Sequence, residues 1–492
     1  MSTAPASDEE SPMKMKLSPA ARLFQSPKFN CYIVAIMGCN TIIDPEVIKE
    51  GLKHTLLKHP RFSSKLVITK NKLWEKKRWS PTPVNLEEHV FVPKFDSKID
   101  NPNQFVEDYI SHMTTSPLDM SKPLWELHLL NLKCSQAESL GVFRIHHSVG
   151  DGASLMSLLL ACTRKTSDPE ALPTLPTTTK HSSSSDHSSP FWWFLLAAWY
   201  AIVMIWNTFV DVMVFAMTIL FLKDTNTPIK GAEGVELTTK RFVHRSISLD
   251  QIKFIKKAMN TTVNDVLLGV TQAGLSRYLN RRYATQNGKD EGTSKKINYL
   301  PKGIRLRATI LVNLRPTIGI QALADMMSKK SKTKWGNLIG YLLLPFTIAL
   351  QENPLDYVRT AKATIDRKKH SFEAICTHFC AQLLLRTIGV ELTAPIARRA
   401  IFNTTVAFSN MVGPQEDISF YGHPIAFLAP SVYGHPHALT IHFQSFINKM
   451  IIVLAVDPNV IPDPQQLFGD IEESLKLILE ATIKQELPKE AV

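Results

Sequence analysis

An apolar run in the middle of the chain constrains the fold more than any other sequence feature. Residues 191–222 contain neither glycine nor proline and only one charged side chain, Asp211. The run is longer than the roughly 20 residues that a membrane-spanning helix needs. At about 100° per residue, Tyr200, Asn207, Asp211 and Thr218 fall within about 40° of one another on a helical wheel, so the polar groups form one narrow stripe.

This stripe is compatible with two arrangements of the helix. The helix could span a bilayer once, with Asp211 turned toward a partner. It could instead lie in the membrane plane or dock on the protein, with its apolar face exposed. We favour the second arrangement, because the site described below needs residues from both sides of the run.

The remainder of the 492-residue chain divides around this helix. Residues 1–19 are polar and lack the apolar core of a signal peptide, so we expect a disordered leader. Residues 20–165 alternate between strand and helix patterns and predict an α/β unit. Residues 166–190 are rich in serine, threonine and proline and predict a linker. Residues 240–485 predict a second α/β unit, which resembles the first only coarsely.

Charge and cysteine content narrow the classes of function. The formal net charge is +12, but zinc-finger spacing and aromatic-basic RNA signatures are lacking, so nucleic acid is not an expected partner. An anionic cofactor or an anionic membrane surface explains the excess of positive charge better. Six cysteines without a CxxC pair suit reduced thiols in the cytosol. The sequons at Asn260 and Asn403 would matter only in a lumenal half.

A histidine motif is the strongest chemical signal in the first unit. His146 and His147 are adjacent, and Asp151 and Gly152 follow. The apolar run before the motif predicts a strand and the run after it a helix, which places the motif on a strand-to-helix turn. A neutral imidazole can remove a proton from a bound hydroxyl near pH 7. Asp151 could hold the turn, and Gly152 could supply backbone freedom.

Other interpretations of the motif are weaker. Two histidines at a strand end can simply be satisfied by hydrogen bonds. A metal site is not expected, because His146 and His147 point to opposite faces and a second ligand cluster such as HExxH is lacking. A serine nucleophile is unlikely without a Gly-x-Ser-x-Gly elbow.

Several residues of the second unit are candidates for supporting roles. Asn264 and Asp265 are typical of a helix cap, and a cap can also hold a neighbouring site in place. Arg315, at a strand end, is either a surface residue or a buried partner for a carboxylate, and Asp151 is the candidate partner. A basic cluster forms a solvated loop or a site for phosphates; its members are Lys329, Lys330, Lys332 and Lys334.

The motif matches the HHxxxDG signature of the CoA-dependent acyltransferase superfamily, which includes chloramphenicol acetyltransferase, plant alcohol acyltransferases and peptide-synthetase condensation domains. More narrowly, the chain resembles the plant wax ester synthase/diacylglycerol acyltransferases. The segments that support this resemblance are 18–24, 123–126, 264–266, 312–316 and 409–410. The Asp-Phe-Gly-Trp-Gly segment of the plant alcohol acyltransferases is absent, which argues against that branch.

The resemblance implies an α/β fold of two chloramphenicol-acetyltransferase-like domains around a central tunnel. It makes His147 the general base, with Asp151 orienting the loop and with His146 and Gly152 in support. Asn264 and Asp265 would shape the opposite wall. The implied reaction transfers a long-chain acyl group from acyl-CoA, a substrate rather than a cofactor, to a long-chain alcohol, with diacylglycerol as second acceptor. A different hydroxyl or amine acceptor, or an idle lipid-binding protein, are the alternatives.

The implied tunnel bears on membrane topology. A single span at residues 191–222 would place His147 and Asn264 on opposite sides of the membrane, where they could not share a site. We therefore expect a docked, in-plane or re-entrant helix, with both halves cytosolic at the endoplasmic reticulum membrane or, alternatively, the plasma membrane. The expected partners are acyl-CoA, a long-chain alcohol, diacylglycerol and the membrane surface.

Overall fold

The computed structural model describes residues 15–27, 29–71, 74–95, 99–173, 190–288, 297–315 and 335–486. Numbered along the chain, the strands are β1 Met15–Lys16, β2 Tyr32–Cys39, β3 Ser64–Asn71, β4 Trp74–Pro81, β5 Val90–Phe91, β6 Trp125–Leu130, β7 Ser139–His146, β8 Thr163–Lys165, β9 Arg241–Ser248, β10 Leu306–Asn313, β11 Ile339–Phe346, β12 Val406–Met411, β13 Ile418–Phe420, β14 His423–Tyr433, β15 Leu439–Phe446 and β16 Lys449–Val456. They form sheets of three, six and seven strands.

The described α-helices are numbered in the same way. They are α1 Pro19–Leu23, α2 Pro45–His54, α3 Pro102–Met113, α4 Gly152–Cys162, α5 Pro190–Leu220, α6 Leu249–Ala258, α7 Val263–Gln286, α8 Leu355–Lys369, α9 Glu373–Thr387, α10 Gly389–Phe402 and α11 Pro464–Glu486. One apolar core lies mainly in the first half and a second in the other half. The α/β fold class expected from the sequence is confirmed.

The second half of the chain contributes two strands to the sheet of the first half. The seven-stranded sheet has the order β5-β6-β7-β2-β14-β13-β8. Strand β14 pairs with β2 from Tyr433 opposite Tyr32 to Ile425 opposite Cys39. Two strands of the unit expected at residues 240–485 therefore belong to the sheet of the first half, and the expected clean division between the units is wrong at this point.

A glycine makes close packing of these two strands possible. A Cβ atom on Gly38 of β2 would lie 2.3 Å from the ring of Phe427 on β14. Real Cβ atoms do not approach other atoms so closely, so only glycine leaves room for this aromatic ring. Gly38 of the first half thus makes room for strand β14 of the second half.

The expected leader and linker are only partly described. Residues 15 and 16 form β1, and Pro19 begins α1 behind its N-cap Ser18, so this part of the expected disordered leader has defined structure. Residues 1–14 lie outside the described residues. After β8 the chain makes turns to residue 173, and the part of the expected linker from 174 to 189 also lies outside the described residues.

The long apolar helix α5 docks on the second half through its polar stripe. Asp211 is 1% exposed, and it accepts hydrogen bonds from Arg367 Nη1 at 2.9 Å and from Lys368 Nζ at 3.0 Å, both at the end of α8. Thr218 accepts a hydrogen bond from the guanidinium of Arg307. Tyr200 stacks on the imidazole of His370 with centroids 6.1 Å apart. The stripe is buried against protein at Asp211 and Thr218, and most of the apolar side chains of α5 are exposed.

Candidate active site

The histidine motif forms the turn between β7 and α4, as the sequence predicts. Strand β7 ends at His146, and α4 begins at Gly152. Asp151 is the N-cap of α4, and its Oδ1 atom accepts a hydrogen bond from the backbone N–H of Ser154 at 3.0 Å. A carboxylate at this position satisfies a free amide and interacts favourably with the helix dipole. The N-cap hydrogen bond of Asp151, a residue of the motif itself, therefore stabilises the turn.

His147 is buried and has one ring nitrogen fixed by the second half of the chain. Its Nδ1 atom lies 3.2 Å from Asn337 Oδ1, while Asn337 Nδ2 donates to the carbonyl oxygen of His147 at 3.0 Å. Because the amide nitrogen of Asn337 is the donor in the second bond, its oxygen must accept a proton from Nδ1 in the first. This tautomer leaves the lone pair of the imidazole on Nε2.

The surroundings of His147 keep the ring neutral. The ring of Phe24 stacks on it with centroids 4.2 Å apart. Burial lowers the pKa of His147 below its usual value, because a desolvated imidazolium is disfavoured; the nearby Asp151 carboxylate opposes this shift less strongly. A neutral imidazole with a free Nε2 is the form that accepts a proton from a hydroxyl.

His146 has a different environment, in which both ring nitrogens are occupied. Its Nε2 atom lies 2.7 Å from Asn30 Oδ1. Its Nδ1 atom accepts from the backbone N–H of Ser148 at 3.1 Å and lies 3.2 Å from Gln25 Nε2. Burial, with the neighbouring His147, lowers the pKa of His146 to about 3. This imidazole is used for structure and has no nitrogen left for a substrate.

The ion pair expected between Asp151 and Arg315 is present. Arg315 Nη1 lies 2.8 Å from Asp151 Oδ2, and both side chains are almost fully buried. The same oxygen accepts from the backbone N–H of Leu338 at 3.0 Å, and Arg315 Nη2 donates to the carbonyl oxygen of Gly336 at 2.6 Å. The described hydrogen bonds of Asp151 lead to the turn and to the chain around Asn337, so its carboxylate is an anchor between the halves.

Gly152 is needed for space rather than for backbone freedom. It belongs to the first turn of α4, and its φ is not positive. A Cβ atom there would lie 2.8 Å from the sulfur of Met411 on β12. The expected reason for this glycine is therefore wrong, since close packing between the halves explains it.

Asp265 acts as the helix-cap interpretation predicts, whereas the described hydrogen bond of the Asn264 side chain is made to another element. Asp265 Oδ2 accepts from the backbone N–H of Thr262 at 2.7 Å, which completes a capping box at the start of α7. Asn264 Oδ1 accepts from Asn410 Nδ2 at 2.6 Å. Neither side chain has a described hydrogen bond to His147. Asn264 is thereby joined to β12, where Met411 follows Asn410 and lies against Gly152.

Three site residues were not expected from the sequence: Phe24, Trp335 and Asn337. Trp335 Nε1 donates to the carbonyl oxygen of Val149 at 2.8 Å, and its ring packs on His59 with centroids 4.1 Å apart. A Trp-Gly-Asn tripeptide after a lysine-rich segment is the signal that could have drawn attention to residues 335–337.

The basic cluster lies outside the described residues; its members are Lys329, Lys330, Lys332 and Lys334. Within the described residues, the side chains of histidine, cysteine, aspartate and glutamate do not form a group of three or more suited to holding a metal ion.

Solved structures with the same architecture define the class of protein. The wax ester synthase/diacylglycerol acyltransferase from Marinobacter aquaeolei VT8 superposes with a TM-score of 0.58 at 18% identity, covering 95% of this chain and 99% of that one. The first condensation domain of the calcium-dependent antibiotic synthetase superposes with a TM-score of 0.56 at 13% identity, covering 96% and 97%. At these identities the likeness shows the fold alone, which is that of the chloramphenicol-acetyltransferase-like proteins.

Sequence comparison identifies the family. The wax ester synthase/diacylglycerol acyltransferase catalytic domain matches residues 44–267, and the C-terminal domain of the same family matches residues 335–479. Wax ester synthase/diacylglycerol acyltransferase 11 from Arabidopsis thaliana is 53% identical over 488 residues, covering 99% of this chain and 98% of that protein. Wax ester synthase/diacylglycerol acyltransferase 5 from the same plant is 54% identical over 485 residues, covering 96% of this chain and 94% of that protein. The chain belongs to the wax ester synthase/diacylglycerol acyltransferase family and is an acyltransferase.

Proposed function

We propose that this protein transfers a long-chain acyl group from acyl-CoA to a long-chain alcohol, forming a wax ester, with diacylglycerol as a second acceptor that yields triacylglycerol. The observation that carries the proposal is the state of His147, which is buried, neutral and tied through Nδ1 to Asn337. That arrangement provides a base at Nε2 in a site from which water is largely excluded.

In the proposed reaction, His147 Nε2 accepts the hydroxyl proton of the acceptor as its oxygen attacks the thioester carbonyl. The tetrahedral intermediate collapses with cleavage of the carbon–sulfur bond. The CoA thiolate then takes the proton from the imidazolium, so the products are the ester and free CoA, and the histidine is again neutral. The reaction needs acyl-CoA as substrate, and the proposal includes neither a metal nor a cofactor.

Asn337 has a positioning role in this scheme. Its amide oxygen accepts from Nδ1 of His147 in both the neutral and the protonated ring, so the same contact serves before and after proton transfer. Phe24 covers one face of the ring. Asp151 and Arg315 hold the chain segment that carries Asn337 and do not take part in proton transfer.

We also propose that both halves lie on the cytosolic side of the endoplasmic reticulum membrane. The support is the contact between His147 and Asn337, which precede and follow α5 in the chain and are hydrogen bonded to each other. A single crossing by α5 would separate them. In sealed microsomes, added protease should digest both halves; protected fragments from only one half would contradict this topology.

The test of the reaction uses the purified chain with a long-chain acyl-CoA and a panel of fatty alcohols, diacylglycerol, phenolic and amine acceptors. His147→Ala should lower ester formation about 10²–10⁴-fold. His244→Ala is the matched control, because it removes another buried imidazole, one whose ring lies tilted against Phe427. Turnover of His147→Ala equal to that of the unmodified chain would refute the role of the base. Transfer to phenols or amines alone would refute the proposed acceptors.

A further inference from the structure

Helix α9 carries an exposed apolar face that packing inside the protein does not explain. Ile375, Phe379 and Leu383 are 41%, 63% and 60% exposed and follow one another at intervals of four residues, so they share one side of the helix. The opposite side is buried and includes Glu373 and Leu385. Surface apolar residues are common singly, but a row along a helix marks a contact with another apolar phase.

This face is continuous with the exposed side of α5. The backbone N–H of Phe372, just before α9, donates to Thr208 Oγ1 of α5 at 2.9 Å. An open apolar groove of about 420 Å³ runs along α5 and is closed at one side by Phe372; Ile205 and Phe209 are among the α5 residues that line it. The exposed apolar sides of the two helices therefore meet at Phe372.

The dimensions of α5 favour immersion in one leaflet rather than a crossing. Its contacts with the second half extend from Tyr200 to Leu220, whose carbonyl oxygen accepts from Arg399. Only residues 190–199 project beyond them, which is about 15 Å of helix at 1.5 Å per residue. The hydrocarbon core of a bilayer is about 30 Å thick. The ion pairs of Asp211 with Arg367 and Lys368 fix the rest of α5 to the protein.

We propose that α5 and α9 together form a docking surface for one leaflet of an anionic lipid bilayer. The chain has a net charge of +12, and exposed Arg386 and Arg399 flank the apolar surface, where their guanidinium groups can reach lipid phosphates. Glu391, exposed near Leu392 on α10, is the acidic side chain beside this surface in the described part of α9 and α10.

The proposal rests on the proposed function and deepens it, since it adds the lipid surface on which an acyltransferase with lipid acceptors would work. The inner side of α9 lines a small cavity of about 30 Å³ together with α1 and Asn337, and Asn337 holds His147. That volume accommodates one or two water molecules. One helix thus faces the bilayer on its outer side and the neighbourhood of the catalytic base on its inner side.

Co-flotation of the full chain with phosphatidylcholine/phosphatidylserine vesicles tests the surface. Phe379→Asp/Leu383→Asp should weaken vesicle binding by at least about 10-fold. The matched control is Ile42→Asp/Val47→Asp, which places the same charges on exposed apolar residues of the first half and should change binding less than about 2-fold. Equal binding by the α9 variant and the unmodified chain would overturn the proposal.

A measurement without any substitution guards against misfolding of the variant. Cys380 on α9 is the exposed one among the six cysteines, and the others are buried or half-buried. A polarity-sensitive fluorophore on Cys380 should shift to the blue on adding vesicles and be quenched by quencher-labelled acyl chains. An unchanged spectrum would overturn the proposal. Ester formation measured in the same samples stays independent: a blue shift without ester formation would sustain the surface and defeat the proposed function.

Discussion

Replacing Asp151 with asparagine separates anchoring from proton transfer. The carboxylate is held by Arg315 at 2.8 Å and by the backbone N–H groups of Ser154 and Leu338, each at 3.0 Å. An asparagine side chain has nearly the same shape and keeps one acceptor oxygen, but it cannot neutralise the guanidinium. The change therefore leaves a buried positive charge without its partner.

The size of the effect follows from burial. The side chains of Asp151 and Arg315 are 3% and 2% exposed, and removing one member of such a pair costs about 3–5 kcal/mol. For a unit of this size, that loss lowers the melting temperature by about 6–20 °C. The double variant Asp151→Asn/Arg315→Met removes both charges, and we expect it to lie within about 2 kcal/mol of the unmodified chain.

Unfolding should be followed by tryptophan fluorescence, because Trp335 packs close to the pair. In the same preparations, turnover per folded molecule should fall less than about 10-fold for Asp151→Asn, against about 10²–10⁴-fold for His147→Ala. A variant with an unchanged melting temperature and turnover reduced by about 10³ would refute the anchoring role, since it would show that the carboxylate acts in proton transfer.

Three further predictions concern pH and packing. Since the pKa of His147 is lowered, the neutral base persists below pH 6.5, and the acid limb of the kcat/KM profile should lie below that value. Gly38→Ala should destabilise the fold by about 1–3 kcal/mol in denaturant titrations, because Phe427 is held between strands; Gly152→Ala should cost less, since Met411 can move. Burial lowers the pKa of five histidines to about 3 or 4; they are His59, His146, His244, His435 and His442. Because these imidazoles bind a proton in the unfolded chain before they do so in the folded one, the free energy of unfolding should fall as pH falls from about 6.5 toward 4. The loss should be up to about 1.4 kcal/mol per pH unit for each histidine.

The sequence is sufficient for features that are encoded locally. The strand-turn-helix around His147 follows from the change of apolar period, and the capping box at Asp265 from residues three positions apart. The pairing of Arg315 with Asp151 was a reasoned hypothesis, because a buried arginine at a strand end needs a carboxylate. The polar stripe of α5 likewise predicted a face turned away from lipid, and Asp211 confirms it.

Features that depend on distant segments meeting were missed. Strand β14 was not expected, because nothing in its own residues indicates that it joins the sheet of the other half. Asn337 follows a stretch with weak local signals, and its importance arises only where it meets His147. The helix α10 contains Pro395, which obscured its helical pattern. The sequence of β11 is apolar throughout, and short apolar runs fit helix and strand alike, so its type does not follow from its own residues.

The position of β14 also determines when the seven-stranded sheet can be completed as the chain is synthesised. Its partner β2 leaves the ribosome roughly 400 residues earlier, which at about 5–20 residues per second is a delay of about 20–80 s. Throughout that time β2 has one unpaired edge, and β8 lacks its partner β13. A polypeptide that stops at residue 173 would display this edge and aggregate. Produced together, however, fragments cut between residues 173 and 190 should assemble, because the second fragment carries the two strands, β14 and β13, that complete the seven-stranded sheet of the first.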